Sequence, residues 1–517
     1  MTMIPSREEN EAAPLIVNAD KAQEESSKNR RGEAAFTHTR VPFIQSILVP
    51  CAGGRSHGAD GGRALQTGLI CALWLLAGIS NSFPTVAIKI YQIRVLKATP
   101  SVQQSMNVLS SFGWNLKLLV AFVSDCVPIC YYRRRPYLVL GLVSYMVSYF
   151  ALSATASVGS ATFLLFLATL GQMAIGTMCD TLVVENMRDE AKEEKGRLQT
   201  RCWVLMTLGG VIGSIAGGYA VDKDDSASVF GVFWVNACLK IPMLFIAVLI
   251  HEQRWGCEGK DEKCEKLPSM RARFASMKSS LKQSAIWKSV IFIFLYGLFP
   301  SQGIAMTNFL VNKMNFRPSD LGWINVIAGI SGAVGMALYY KCFRNVRWSK
   351  FFTIVIVLCS LLSLTQLLLV EGVVPEKYAL PFAFSDDAVL DIAKSLLSMP
   401  ILILIASLTP LGVEGSVYAL ATSVQMNAST ISAALSALLI SAFGITQTAF
   451  SGFAGLISLC AFLRLLAIPA LALLPPEGLA AKTTPDADAP SKGPAIIFVL
   501  LIAGVSAALV QSIVAIS

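Results

Sequence analysis

WNLKLLVAFVSDCVPICYYRRRPYLVLG, residues 114–141, is an apolar run, a short turn carrying Asp125 and the arginines Arg133, Arg134 and Arg135, and the start of a second apolar run. A bilayer core about 30 Å thick is crossed by roughly 20 apolar residues in a helix. Lipid cannot satisfy an unpaired peptide group, so two such runs joined by a basic turn read as a transmembrane helical hairpin. The pattern repeats in both directions. Runs at 64–83, 106–125, 136–155, 161–184, 204–221 and 229–251 predict six spans, and runs at 287–311, 321–340, 351–370, 388–408, 417–440 and 450–474 predict six more.

Between the two sets lies a charged stretch, 252–286, with Arg254, Lys260, Lys263, Lys266, Arg271, Arg273, Lys278 and Lys282. Residues 1–63 are polar, with Glu8, Glu9, Glu11, Glu24 and Glu25 near the start, which suits a disordered tail rather than a signal peptide. After a Pro/Ala/Asp linker at 475–494, residues 495–516 run without a charge and predict a thirteenth span. The expected architecture is an all-α polytopic membrane protein of two six-helix bundles with an extra C-terminal helix.

Composition agrees. Hydrophobic residues make up 54% and charged residues 15%, against about 45–50% and 25% in soluble domains, and mean hydropathy is +0.60. The net charge of +9 needs no nucleic-acid partner. About 30 of the 42 Lys and Arg lie in the N-terminal tail and even-numbered loops and about 7 in the odd-numbered ones, which predicts a cytoplasmic N-terminus and central loop. A plasma membrane or an internal one is compatible with this topology. The 12 cysteines are scattered, mostly within apolar runs, and Cys257 and Cys264 in the polar loop lack zinc-type spacing.

An ionisable residue at the centre of a span costs about 2.5–3.5 kcal/mol on insertion scales, so each one inside a predicted span is a candidate for function. Trp114, Lys117 and Asp125 differ by 3 and 8 positions, which at about 100° per residue places them within a stripe roughly 80° wide. Lys117 lies near mid-span, where snorkelling is difficult, which favours transport or an internal ion pair. In the fourth span Asp180, Glu185 and Arg188 crowd one end, with Glu185 and Arg188 at ion-pair spacing. Either a gating or proton-responsive network or a structural salt bridge fits them. Asp125 with Arg133, Arg134 and Arg135 can latch one conformation of a rocking carrier, or simply set topology. Arg464, in the middle of the twelfth span, has no partner nearby in sequence, whereas Lys240, Lys288, Asp391 and Lys394 sit nearer span ends and are expected to snorkel. Gly209, Gly213 and Gly217, flanked by Gly210 and Gly218, predict close approach of a neighbouring helix.

The stretch 114–141 also resembles the folate–biopterin transporter family of the major facilitator superfamily, which shows a Trp, a Lys, a Ser-Asp and a Tyr-Arg-Arg cluster here. The likeness recurs at CDTLVVENMR (179–188), PSQGIAMTNFLVNKMNF (300–316), LGWINVIAGISGAVGMALYY (321–340) and SMPILILIASLTPLGVEGSVYALATSVQMNAS (398–429). Departures are Ser214, where the superfamily's glycine motif usually has Pro, Tyr131 in place of a Gly, and Leu408–Pro410, LTP where Cys-Pro is commoner. The resemblance implies a major-facilitator fold and a substrate of the folate or pterin class, or S-adenosylmethionine, moved by proton symport. It carries across Trp114, Lys117, Asp180, Asn308 and Asn427 as substrate-binding or translocation residues, and Asp125, Glu185, Arg188 and Glu414, with the arginine cluster, as gating or coupling residues. Chemically, Trp114 can stack on a flat pteridine, Lys117 can meet an anion, and Asp180 or Glu185 can take a proton.

Two other readings fit the same residues: a carrier of another small organic solute, and a non-transporting receptor or scaffold that binds partners through its charged loop. An enzyme is not expected, since there are three His and neither a phosphate-loop nor an H-E-x-x-H pattern. No metal or organic cofactor is expected.

Overall fold

The computed structural model describes residues 59–127, 129–130, 132–187, 197–221, 226–252, 284–343, 346–408 and 414–474, with residues 496, 499, 502 and 506 beyond them. Among the described residues up to 474, the helices fall into twelve consecutive segments. The first is α1 (Ala59–Ser82) with α2 (Pro84–Ile90) and a π-turn at Tyr91–Val95, and the second is α3 (Pro100–Ser111), a 3₁₀ stretch at Phe112–Leu116 and α4 (Lys117–Cys126). Then come α5 (Arg135–Leu152), α6 (Val158–Met187), α7 (Arg197–Ala220), and α8 (Ser226–Cys238) with α9 (Lys240–Leu249). The seventh segment is α10 (Ser284–Gly297) with α11 (Gly303–Asn312), followed by α12 (Pro318–Leu338), α13 (Trp348–Val370), α14 (Glu376–Leu408), α15 (Glu414–Ala442), and α16 (Phe453–Leu465) with α17 (Ala467–Ala470).

Among the described residues, nine helices are long and apolar enough to cross a membrane. The segments outside that set are the second and seventh, which are interrupted, and the tenth, which carries Asp386, Asp387, Asp391 and Lys394. The expected thirteenth span and the Cys257/Cys264 loop lie outside the described residues, apart from the four helical residues 496, 499, 502 and 506.

Three expected boundaries are corrected. The first span was expected to end at Phe83, yet helix continues to Val95, because Pro84 occupies the first turn of α2, where a missing N–H costs nothing. Lys89 is thereby drawn into the span. The tenth helix begins at Glu376 rather than 388, which brings in Asp386 and Asp387. The seventh, expected to be continuous, breaks between Gly297 and Gly303 around Pro300. The freed backbone groups are satisfied by α15: Ser301 N–H donates to Ser436 Oγ at 2.9 Å, and Ser432 Oγ donates to the Phe299 carbonyl at 2.6 Å. Such backbone survives at membrane depth only where protein satisfies it.

One core joins buried residues from Ile70 to Ile250 with Val311 and Leu321, and two others are built from residues 286–471. Phe245, Leu249, Ile354 and Leu361 are 59–67% exposed, an apolar exterior suited to lipid. The glycines of α7 do what their spacing predicts on the first segment. A Cβ at Gly209, Gly213 or Gly217 would overlap the carbonyls of Leu75, Ile79 and Phe83 respectively. Gly218 points elsewhere, toward α12, where its Cβ would lie 3.1 Å from Gly322 Cα.

Candidate functional site

The 3₁₀ stretch at Phe112–Leu116 alters the geometry of the second segment, so that Trp114, Asn115 and Lys117 follow one another through an irregular turn. Lys117 Nζ lies 3.0 Å from Asp180 Oδ2 on α6, and the two side chains are 41% and 44% exposed. One turn away, a Cβ on Gly176 would sit 3.8 Å from the Trp114 indole, so the missing side chain makes room for the ring. Asn115 Nδ2 donates across to Thr430 Oγ1 of α15 at 3.3 Å. Asn427, one turn earlier on α15, is buried. A cation, a carboxylate, an amide and an indole therefore meet where the second, fourth and eleventh segments converge.

Asn308 is elsewhere. It is fully buried and forms a reciprocal amide pair with Gln103 of α3, donating to Gln103 Oε1 at 2.9 Å and accepting from Gln103 Nε2 at 3.0 Å. This pair joins the two sets of six segments, and further bonds between them gather at the same end. Ser101 Oγ donates to the Ala437 carbonyl, Gln447 Nε2 donates to the Ile93 and Ala98 carbonyls, and Trp323 Nε1 donates to Tyr219 Oη. We call this end, bearing loops 96–99, 313–317 and 443–452, the far end.

At the near end the backbone of Arg133 and the backbone and side chains of Arg134 and Arg135 make hydrogen bonds within the first six segments. Glu252 accepts the backbone N–H groups of Arg133, Arg134 and Arg135 at 2.7, 2.7 and 2.9 Å, placing an anion on the N-terminus of α5. Arg134 Nη1 donates to Ser124 Oγ, and Arg135 donates to the carbonyls of Ala247 and Val248. The side chains of Asp125, Glu185 and Glu414, and the whole of Arg188, lie outside the described residues.

Two mid-membrane cations find neutral partners. Arg464 donates to Ser363 Oγ at 2.7 Å and to the Cys359 carbonyl at 3.2 Å, supplying the partners its sequence neighbourhood lacks. Lys240, expected to snorkel, does not: it is fully buried, donates to Gln172 Oε1 at 2.9 Å and lies 4.3 Å from the centre of the Tyr145 ring. It opens α9 immediately after the break at Leu239, which faces it into the bundle. Lys394 pairs with Asp391 at 3.1 Å.

Sequence reasoning missed Lys89, Gln103, Gln302, Asp386 and Glu252. A repeat could have pointed toward several of them. Phe83-Pro84 and Phe299-Pro300 recur, as do Pro100-Ser101 with Asn107-Val108 and Pro318-Ser319 with Asn325-Val326. Proline-interrupted segments at matching places in two halves are the best sequence pointer to a transporter's site.

A family model described as the BT1 family matches residues 77–493. The chain belongs to the BT1 family. Among curated relatives, a folate-biopterin transporter of Synechocystis sp. (strain ATCC 27184 / PCC 6803 / Kazusa) is 28% identical over 412 residues, covering 78% of this chain and 81% of that one. Folate transporter 1 of Plasmodium falciparum (isolate 3D7) is 25% identical, covering 70% of each. Among solved structures, the nucleoside transporter NupG aligns with a TM-score of 0.63 at 11% identity, over 79% of this chain and all of that one. The peptide transporter PepTSo aligns at 0.58 and 13% identity, over 79% and 97%. These likenesses establish the major-facilitator-type fold, and the family is one of membrane transporters, not enzymes.

Proposed function

We propose that this BT1-family protein is a secondary carrier of folate- and pterin-type solutes, coupled to protons and working by alternating access, with its N-terminus in the cytoplasm. The observation that carries the reading is the placement of the half-exposed Lys117–Asp180 pair beside Trp114 while hydrogen bonds between the halves gather at the far end. That is the arrangement of a carrier closed on one side with its polar site open to the other.

The energetics suit turnover. An ion pair this exposed is screened by water and is worth about 0–1 kcal/mol, so opening it is cheap. A substrate carboxylate can replace Asp180 on Lys117, and a proton can neutralise the released Asp180. Trp114 offers a π-face to a flat ring, with Asn115 and Asn427 as polar neighbours. The names of relatives in Synechocystis and Plasmodium supply the substrate class. Glu185, Arg188, Glu414 and Asp125, with the arginine cluster, are assigned to near-end gating by the same family resemblance.

The test is uptake of labelled folate, biopterin and S-adenosylmethionine by folate- and pterin-deficient cells expressing the chain, at acidic and neutral pH, with and without a protonophore. Saturable, protonophore-sensitive uptake of folate or biopterin is expected. Uptake of neither by protein shown to reach the surface would overturn the assigned substrate class.

A further inference from the structure

The far end carries a cavity that the Lys117–Asp180 site does not use. It has a volume of about 250 Å³, and its polar lining is Lys313, Glu371, Thr448 and Ser451, with Val370 and Phe450 beside them. Among the described residues, none of those four polar side chains makes a hydrogen bond or an ion pair. Lys313 Nζ stands 5.1 Å from the centre of the Phe309 ring, and Phe309 packs edge-on against Phe450 at 5.4 Å, so the ammonium rests on an aromatic floor. One cavity thus holds a cation and a carboxylate that do not neutralise each other, together with two uncommitted hydroxyls.

Depth, size and charge select the occupant. Lys313 caps α11, Val370 and Glu371 close α13, and Thr448, Phe450 and Ser451 lead into α16. The spans containing α13 and α16 are both long and apolar enough to cross a membrane, so their ends lie at the level of lipid headgroups. The volume is below the roughly 300–1,000 Å³ of pockets that enclose drug-sized ligands, and it suits a small headgroup. Glu371 repels a solute whose only charges are carboxylates. A phosphate–ammonium zwitterion satisfies both signs: its ammonium donates to the Glu371 carboxylate, and its phosphate oxygens accept from Lys313 and the Thr448 and Ser451 hydroxyls.

We propose that this cavity binds a phosphatidylethanolamine headgroup from the surrounding bilayer, and that its occupancy favours the far-end-closed state. Lys313 lies just past Asn308, which pairs with Gln103 of the first half. Thr448 follows Gln447, whose side chain reaches the Ile93 and Ala98 carbonyls. A headgroup joining Lys313, Thr448 and Glu371 therefore braces both elements that carry these contacts, so each set of bonds supports the other. A ligand shifts such an equilibrium only through different affinity for its two states. Phosphatidylcholine keeps the positive charge but has no N–H for Glu371, and phosphatidylglycerol has no cation. The site is independent of the cargo and of the coupling ion proposed above.

The experiment uses the full chain in vesicles of phosphatidylcholine alone, or of phosphatidylcholine mixed in equal parts with phosphatidylethanolamine or phosphatidylglycerol. Spin labels on Lys97 and Lys377, exposed far-end positions in opposite halves, read the closed and open populations without any substrate. Phosphatidylethanolamine should raise the closed-to-open ratio by about fivefold or more, the lower end of coupling between two sites, and phosphatidylglycerol should not. Lys313→Gln and Glu371→Gln change exposed side chains and should each abolish most of that gain. Bilayer curvature acts on wild type and variants alike, so a gain of equal size in all three proteins overturns the site, as does the absence of any gain in wild type. Soluble phosphoethanolamine added to phosphatidylcholine vesicles separates the sources: no effect supports the lipid, whereas a gain that both variants lose keeps the site and overturns the bilayer lipid as its occupant.

Discussion

Replacing Asn308 with alanine tests the far-end closure most directly. The side chain makes two bonds to Gln103, at 2.9 and 3.0 Å, between residues that are 0% and 2% exposed. Removing it leaves Gln103 Oε1 buried without a donor, while Gln103 Nε2 keeps the Ala98 carbonyl at 2.8 Å. An unsatisfied buried group costs about 1–3 kcal/mol, and hydrogen bonds between helices in membranes average about 0.6 kcal/mol with a maximum near 1.7. Taking about 1–2 kcal/mol, the far-end equilibrium should shift toward open by roughly five- to thirtyfold, since about 1.4 kcal/mol is a factor of ten. The cost falls on the closed state alone, because water satisfies Gln103 once the end opens. Spin labels on Lys97 and Thr448, exposed positions beside the Gln447 contacts, would read this as growth of a long-distance population in a cysteine-free background. Replacing Gln103 and Asn308 together by leucine should be less disruptive than the sum of the single changes, because neither residue is then left unsatisfied. Strictly additive effects, or an unchanged distance distribution in Asn308→Ala, would refute the assignment of this pair as a latch.

Further outcomes follow from the same geometry. Lys117→Met should cut uptake by about tenfold or more with little change in thermal stability, because so exposed a pair contributes only about 0–1 kcal/mol to the fold; a matching fall in melting temperature would mean a structural role. Gly217→Val should reduce folded yield by overpacking against the Phe83 carbonyl, at about 1–3 kcal/mol, whereas Gly231→Ala, which meets nothing within 4 Å, should be silent in size-exclusion profiles. Glu252→Ala strips the acceptor from three backbone N–H groups at the start of α5 and should cost about 1–3 kcal/mol. A denaturation series showing no loss would place that carboxylate outside the stability of the fold.

Much of the architecture was written in local chemistry. Apolar runs of span length, the basic turn at Arg133–Arg135 and the glycines at 209, 213 and 217 each act through neighbours in sequence or through lipid, so they could be read without knowing what lies opposite. The meeting of Trp114, Lys117 and Asp180 was foreshadowed by the family resemblance and, for Lys117 and Asp180, by the cost of leaving a charge in a bilayer without a use. What tertiary structure decided were partners and boundaries. Pro84 lets a helix run on, while Pro300 marks a break, and the difference lies in Ser432 and Ser436 on a helix more than 130 positions away. Lys89 and Asp386 became interior groups only when those helix limits were known. Gln103 and Asn308, 205 residues apart, read singly as ordinary polar residues. A hydrogen bond is a property of two groups brought together, and the folding of two halves onto one another, not the composition of either, decides which polar residue stands alone and which becomes a latch or a site.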